Sequence, residues 1–157
     1  LTAQEEVGER GALIAAKQVN PDLAIVFEGC PADDTAETPE MIQSAMGKGP
    51  MLRYFDVSMI TNPEFQEYAL EIAKINKIPV QVSVRSGGGT NGMAITQVQG
   101  APTIVVGIPV RYAHTPHCYV DFQDYQAAKE LVIQLIKNLD ADKIQALVQP
   151  LSKEWNK

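Results

Sequence analysis

Apolar residues along this chain follow two periods, and the periods alternate. Residues 23–28, "LAIVFE", and 101–109, "APTIVVGIP", are short continuous apolar runs bounded by Pro and Gly, the pattern of buried strands. Residues 78–84, "IPVQVSV", predict another strand, and 50–56, "PMLRYFD", a further one. Residues 63–75 place Phe65, Tyr68, Ala69, Ile72 and Ile75 at helical spacing. Asn62 can cap that helix, Pro63 suits its first position, and Glu64 favours its positive end. Residues 122–139 predict a longer amphipathic helix, with Tyr125, Ala128, Leu131, Val132 and Leu135 on one face. Residues 8–19 carry helix-favouring Ala and Leu and stop at "NPD". Residues 93–99 predict a short helix, and the tail from 140 a helical turn or two before a frayed end. Residues 2–6 read as a strand end or a loop, while 29–49, 85–92 and 110–120 lack periodicity and read as loops.

The order of elements predicts one domain with an α/β fold, a mixed, mostly parallel sheet flanked by helices. In open α/β sheets, ligands bind beyond the C-terminal ends of strands. That rule puts Glu5, Glu6, Glu28, the glycine loop from Arg85 and His114 on one rim. Three carboxylates and an imidazole suit a divalent metal such as zinc, cobalt or manganese. Of two adjacent glutamates, one can ligate while the other stands off by a water's width as a base. Each feature also has a plain structural reading. A Glu-Glu pair favours a helix start, Glu28 could be a loop charge, the triple glycine a flexible turn, and His114 a surface histidine.

Composition narrows the partners. The formal net charge is −6 and there is no basic patch, so nucleic acid is not expected. No apolar run approaches the roughly 18 residues of a membrane helix. The polar, acidic first residues are the reverse of a positively charged leader. Cys30 and Cys118 follow no metal-ligand spacing and read as two reduced thiols. The expectation is a cytoplasmic protein with no membrane partner.

"QEEVGERGA", "IVFEGCPADD", "SGGGTNGMAI" and "GIPVRYAHTPH" occur in this order. Together they resemble the di-metal aminopeptidases that assemble as hollow tetrahedral particles, a family that includes glutamyl aminopeptidase and members labelled endoglucanases. The resemblance runs from Thr2 to about Leu139. It implies a zinc-exopeptidase-like catalytic domain, peptide substrates, two divalent metal ions and a homo-oligomer, a dodecamer in the family. It implies that Glu5 is the general base, and that Glu6 and His114 are metal ligands. Glu28 stands where the family usually has an aspartate ligand, and its longer arm must shift the metal or the backbone. His117 matches no ligand and is a rim residue. Arg85, Gly88, Gly89, Thr90 and Asn91 are expected to border the substrate pocket. The family run is close to "GGTDA", so Asn91 in "GGTNG" leaves that position uncharged. The resemblance also implies further ligands and an inserted β-rich domain upstream. Residues 1–157 are therefore expected to be the C-terminal part of a catalytic domain, binding metal weakly alone. A glycosidase is the first alternative, but its two carboxyls must flank the bond about 5–5.5 or 6.5–9.5 Å apart, which neighbouring residues suit poorly. A non-catalytic, degenerate homologue with an assembly or binding role is the second.

Overall fold

The computed structural model describes residues 2–148. A single 3-10 turn, Glu5–Val7, leads into α1 (Arg10–Val19). The order continues as β1 (Ala24–Pro31), β2 (Met51–Phe55), α2 (Pro63–Ile75), β3 (Gln81–Val84), α3 (Asn91–Gln99), β4 (Thr103–Arg111), β5 (Tyr119–Val120), α4 (Phe122–Asn138) and α5 (Ala141–Val148). The expected frayed end beyond residue 148 lies outside the described residues.

The sheet order is β1-β4-β2-β3, with β5 paired to β4. β1 lies parallel to β4 from Ala24↔Thr103 to Pro31↔Val110, and β2 lies parallel to β3. β2 and β4 are antiparallel, as are β4 and β5. The mixed, helix-flanked α/β architecture expected from the pattern is therefore present.

Strand alternation sends successive side chains to opposite faces. On one face Leu52, Ile104 and Val106 meet Phe65, Ala69 and Ile72 of α2, Leu131 and Leu135 of α4, and Leu147 of α5. On the other face Val26 and Val105 pack with Met59, Met93 and Ile95. There α1 packs against α3, and Ala12, Ala16 and Ala94 are all buried. Glu28, Met51 and Arg53 share the strand phase of this second face.

Several boundaries differ from the pattern. β1 runs on to Pro31 because its ladder with β4 continues, so Glu28 lies inside the strand rather than at its end. α1 starts at Arg10 because Gly8 and Glu9 take left-handed backbone angles. β3 is shorter than expected, starting at Gln81 after Pro79, and α3 starts earlier, at Asn91, because the Thr90 hydroxyl accepts from Gly92 N–H. The loop after β4 hides the short strand β5. Ile75 and Tyr125 sit at the ends of their helical stripes and are exposed.

The opposed strand directions overturn the strand-end reason for expecting one rim, though not the convergence itself. β3 runs against β1 and β4, so its C-terminal end is at the other edge of the sheet. The loop 32–50 bridges the difference by crossing between them. Asp33 accepts from the N–H groups of Gln43 and Ser44, and Asp34 from Met46 N–H and the Arg111 guanidinium. Asp124 accepts from Gly47 and Gly49 N–H, and Gln43 accepts from Val84 N–H. Carboxylates and side-chain amides thus order a long segment that has little apolar content.

Candidate active site

An open cavity of about 960 Å³ lies on the second face, beside the C-terminal half of β1. Glu5, Glu6, Glu28, Arg85, Gly88, Gly89, Asn91 and His114 all line it. Thr90 is buried beneath the loop and acts as the α3 cap. His117 is not among the lining residues.

The Glu5–Glu6 turn is held by its backbone. Gln4 and Glu9 on either side have left-handed φ of 60° and 54°, rare for residues with a side chain. Gly8, at φ 102°, can adopt its angle only because it lacks a Cβ. Glu9 N–H donates to the Glu5 carbonyl at 2.9 Å, and Gly11 N–H to the Ala3 carbonyl at 2.9 Å. A Cβ on Gly11 would collide with the Ala3 backbone, so the turn sits flush on α1 because residue 11 is glycine. His114 also has a left-handed φ, 62°. Strained backbone of this kind collects at functional sites.

Glu6 and His114 are far apart in sequence, yet Glu6 Oε1 lies 3.5 Å from His114 Nδ1. Both side chains face solvent, 72% and 71% exposed. A carboxylate and an imidazole so placed form two donors of the kind zinc, cobalt and manganese accept. Among the described residues no three His, Cys, Asp or Glu side chains close around one point. The donor set is thus compatible with part of a coordination sphere, not with a whole one.

Glu28 is turned to the sheet floor. Its Oε1 accepts from Arg53 Nη2, whose Nη1 donates to Asp56 Oδ2 at 2.8 Å. Arg53 is only 3% exposed and Asp56 is buried. Burial pushes the Glu28 carboxyl up to about 7, against the pull of Arg53, while the Glu5 and Asp56 charges add to the rise. Burial also pushes Asp56 up, but hydrogen bonds from Ser58 and Arg53 outweigh it and hold the carboxyl below its ordinary range. Asp56 Oδ1 accepts from Ser58 N–H, Ser58 Oγ and Met59 N–H. Ser58 Oγ and Glu9 Oε1 would both lie 3.1 Å from a Cβ on Gly89. A continuous polar layer therefore links Glu28 to the glycine loop.

Sequence reasoning missed Glu9, Asp33, Arg53 and Asp56. Arg53 and Asp56 left a readable signal, since charges within an apolar strand run are buried only when paired. Glu9 and Asp33 left none, because the turn and the long loop that carry them have no periodicity.

A model of the M42 glutamyl aminopeptidase family matches residues 1–131. The lysyl aminopeptidase of Pyrococcus furiosus is 33% identical over 145 residues, covering 88% of this chain and 39% of that protein. The solved TET aminopeptidase of a marine sediment archaeon, Thaumarchaeota archaeon SCGC AB-539-E09, has a TM-score of 0.89 at 40% identity, covering 93% of this chain and 41% of that one. The Pyrococcus horikoshii TET1 peptidase, described as assembling into a tetrahedron or a large octahedral shell, has a TM-score of 0.74 at 29% identity, over 88% of this chain and 40% of that one. The chain thus spans about two-fifths of the length of these relatives. On the family match, which covers most of its length, the chain belongs to the M42 glutamyl aminopeptidase family.

Proposed function

We propose that this chain is the C-terminal part of a metal-dependent aminopeptidase that releases N-terminal residues from peptides. The observation that carries the reading is the meeting of Glu6 with His114 at 3.5 Å in a cavity that Glu5 also lines. The relatives' aminopeptidase names support it. Glu6 and His114 would hold one divalent ion, zinc, cobalt or manganese, and Glu28 would help to hold a second. Such ions supply a Lewis acid that makes a bound water acidic near neutral pH.

The chain's own residues do the rest. Glu5 accepts the attacking water's proton on its carboxylate and passes it to the departing amine. The left-handed residues flanking the turn fix Glu5 and Glu6 so that they face the same cavity. Gly88, Gly89 and Asn91 form the wall along which the substrate lies, with Arg85 at its edge. With only part of a ligand set on these residues, the remaining ligands would come from a longer chain, and the segment alone would bind metal weakly. The described helices include none long and apolar enough to cross a membrane, and Cys30 and Cys118 are both free thiols. These fit a cytoplasmic enzyme. The assemblies formed by the horikoshii peptidase support a homo-oligomer, a dodecamer by family resemblance.

The test compares Glu5→Gln, Glu6→Ala and His114→Ala in the longer protein, reading metal content and peptide hydrolysis together. Glu5→Gln should keep its metal and lose about 10²–10⁴ in kcat, the usual share of a general base. Glu6→Ala and His114→Ala should lose metal. Metal loss in Glu5→Gln alone would reverse the two roles, and full activity in all three would end the proposal.

A further inference from the structure

We infer that this pocket selects a basic N-terminal side chain over an acidic one, with Glu9 and Glu37 as the anions that receive its ammonium or guanidinium group. The inference rests on the aminopeptidase reading and concerns the side chain of the residue released. Arg85 is the cation at the cavity edge that could bind an acidic side chain, and its charge is already engaged. Its Nη1 donates to Asp33 at 3.4 Å and its Nη2 to the Pro31 carbonyl at 3.3 Å. Arg53 is deeper, 3% exposed, and divided between Glu28 and Asp56. No guanidinium lining the cavity is left over for a substrate carboxylate among the described residues.

Anions are left over. With Glu5, Glu6 and Glu28 assigned to the chemistry and Asp33 engaged by Arg85, Glu9 and Glu37 are the remaining acidic groups on the wall. Glu37 is exposed and forms no ion pair among the described residues. Glu9 is buried, 8% exposed, and among the described residues its Oε2 has no hydrogen-bond partner, although a backbone hydrogen bond from Ala94 reaches the carboxyl. An unpartnered buried carboxylate oxygen costs free energy that an arriving N–H donor offsets. Burial, then the Glu5 and Asp56 charges, already raise the Glu9 carboxyl, so an entering cation relieves the repulsion there. The loop comes nearest Glu9 at Gly89, where a Cβ would lie 3.1 Å from Glu9 Oε1, so the absence of a side chain there is what leaves the approach clear, and Gly87 and Gly88 border open space.

The experiment measures kcat/KM for lysyl, leucyl and glutamyl p-nitroanilides with the metal-loaded longer protein. The lysyl substrate should exceed the glutamyl one by at least about tenfold, roughly one well-placed charge pair, and the ratio should fall as salt rises. Glu9→Gln and Glu37→Gln should each lower the lysyl-to-leucyl ratio severalfold, mainly through KM. Glu37 is exposed, so its variant keeps the test open if Glu9→Gln fails to fold. Preference for the glutamyl substrate, or a lysyl preference untouched by Glu37→Gln and by any folded Glu9→Gln, would overturn the inference. Hydrolysis of none of the three would end the aminopeptidase reading itself, and the inference with it.

Discussion

Replacing Arg53 with methionine should cost about 3–5 kcal/mol of folding stability, the range found when one partner of a buried ion pair is removed. The value follows from what the substitution leaves behind. Arg53 is 3% exposed, and it neutralises Glu28 on one side and Asp56, whose side chain is 0% exposed, on the other. Asp56 keeps three donors on Oδ1, from Ser58 and Met59, but loses the one on Oδ2. Glu28 loses its counter-charge where burial already disfavours ionisation. For a chain of this size each kcal/mol moves Tm by about 2–4 °C, so Tm should fall by roughly 6–20 °C. Scanning calorimetry in chelator, with far-UV circular dichroism to confirm folding, measures the change. The Arg53→Met, Glu28→Met double variant should recover part of the loss, because it removes a buried carboxyl left without its partner, and a double-mutant cycle gives the coupling directly. A loss below about 1 kcal/mol, the worth of an exposed pair, would refute the claim that this pair is desolvated.

Other outcomes follow from the same geometry. Gly11→Ala should displace the Ala3 backbone and with it the Glu5–Glu6 turn, cutting kcat more than it cuts Tm. Parallel kinetics and calorimetry would show this, and unchanged kcat would count against it. Gly92→Ala forces a Cβ to 2.7 Å from Met59 Sδ and should cost about 1–3 kcal/mol by overpacking, read by urea unfolding. In metal-free protein the folded-state pKa of Glu28 lies above its ordinary 4.5, at about 7. The folded state then holds a proton that the unfolded chain releases, so this group's stabilisation is lost as pH rises from about 4.5 to 7. Glu28→Gln should flatten that part of the stability–pH profile, and an unchanged slope would refute the assignment. Asp124→Asn keeps the shape but loses the charge that accepts from Gly47 and Gly49 at 2.7 Å each. It should loosen residues 44–50, visible as faster amide exchange at Gly49.

Apolar periodicity was enough to reveal the α/β class and the helices Pro63–Ile75 and Phe122–Asn138, because each buries a stripe and carries its own caps. The neighbouring pair Glu5–Glu6, the glycine loop and His114 could be singled out because their residue types carry chemistry wherever they sit. Strand direction was not legible. Nothing local in residues 51–55 says that they pair antiparallel to β4, so a rule based on strand ends brought together residues that do line one cavity, but by the wrong route. The extent of β1 was set by its partner: Glu28 sits inside a strand because residues 103–110 supply a ladder beside it. The 3.5 Å approach of Glu6 to His114, the burial of Arg53 between two carboxylates, and the unpaired Oε2 of Glu9 were likewise tertiary decisions. Each depends on distances between segments remote in the chain, and local propensity encodes no such distance. Residue chemistry therefore sets which groups can react or bind, while the packed sheet sets which charges remain free to meet a substrate.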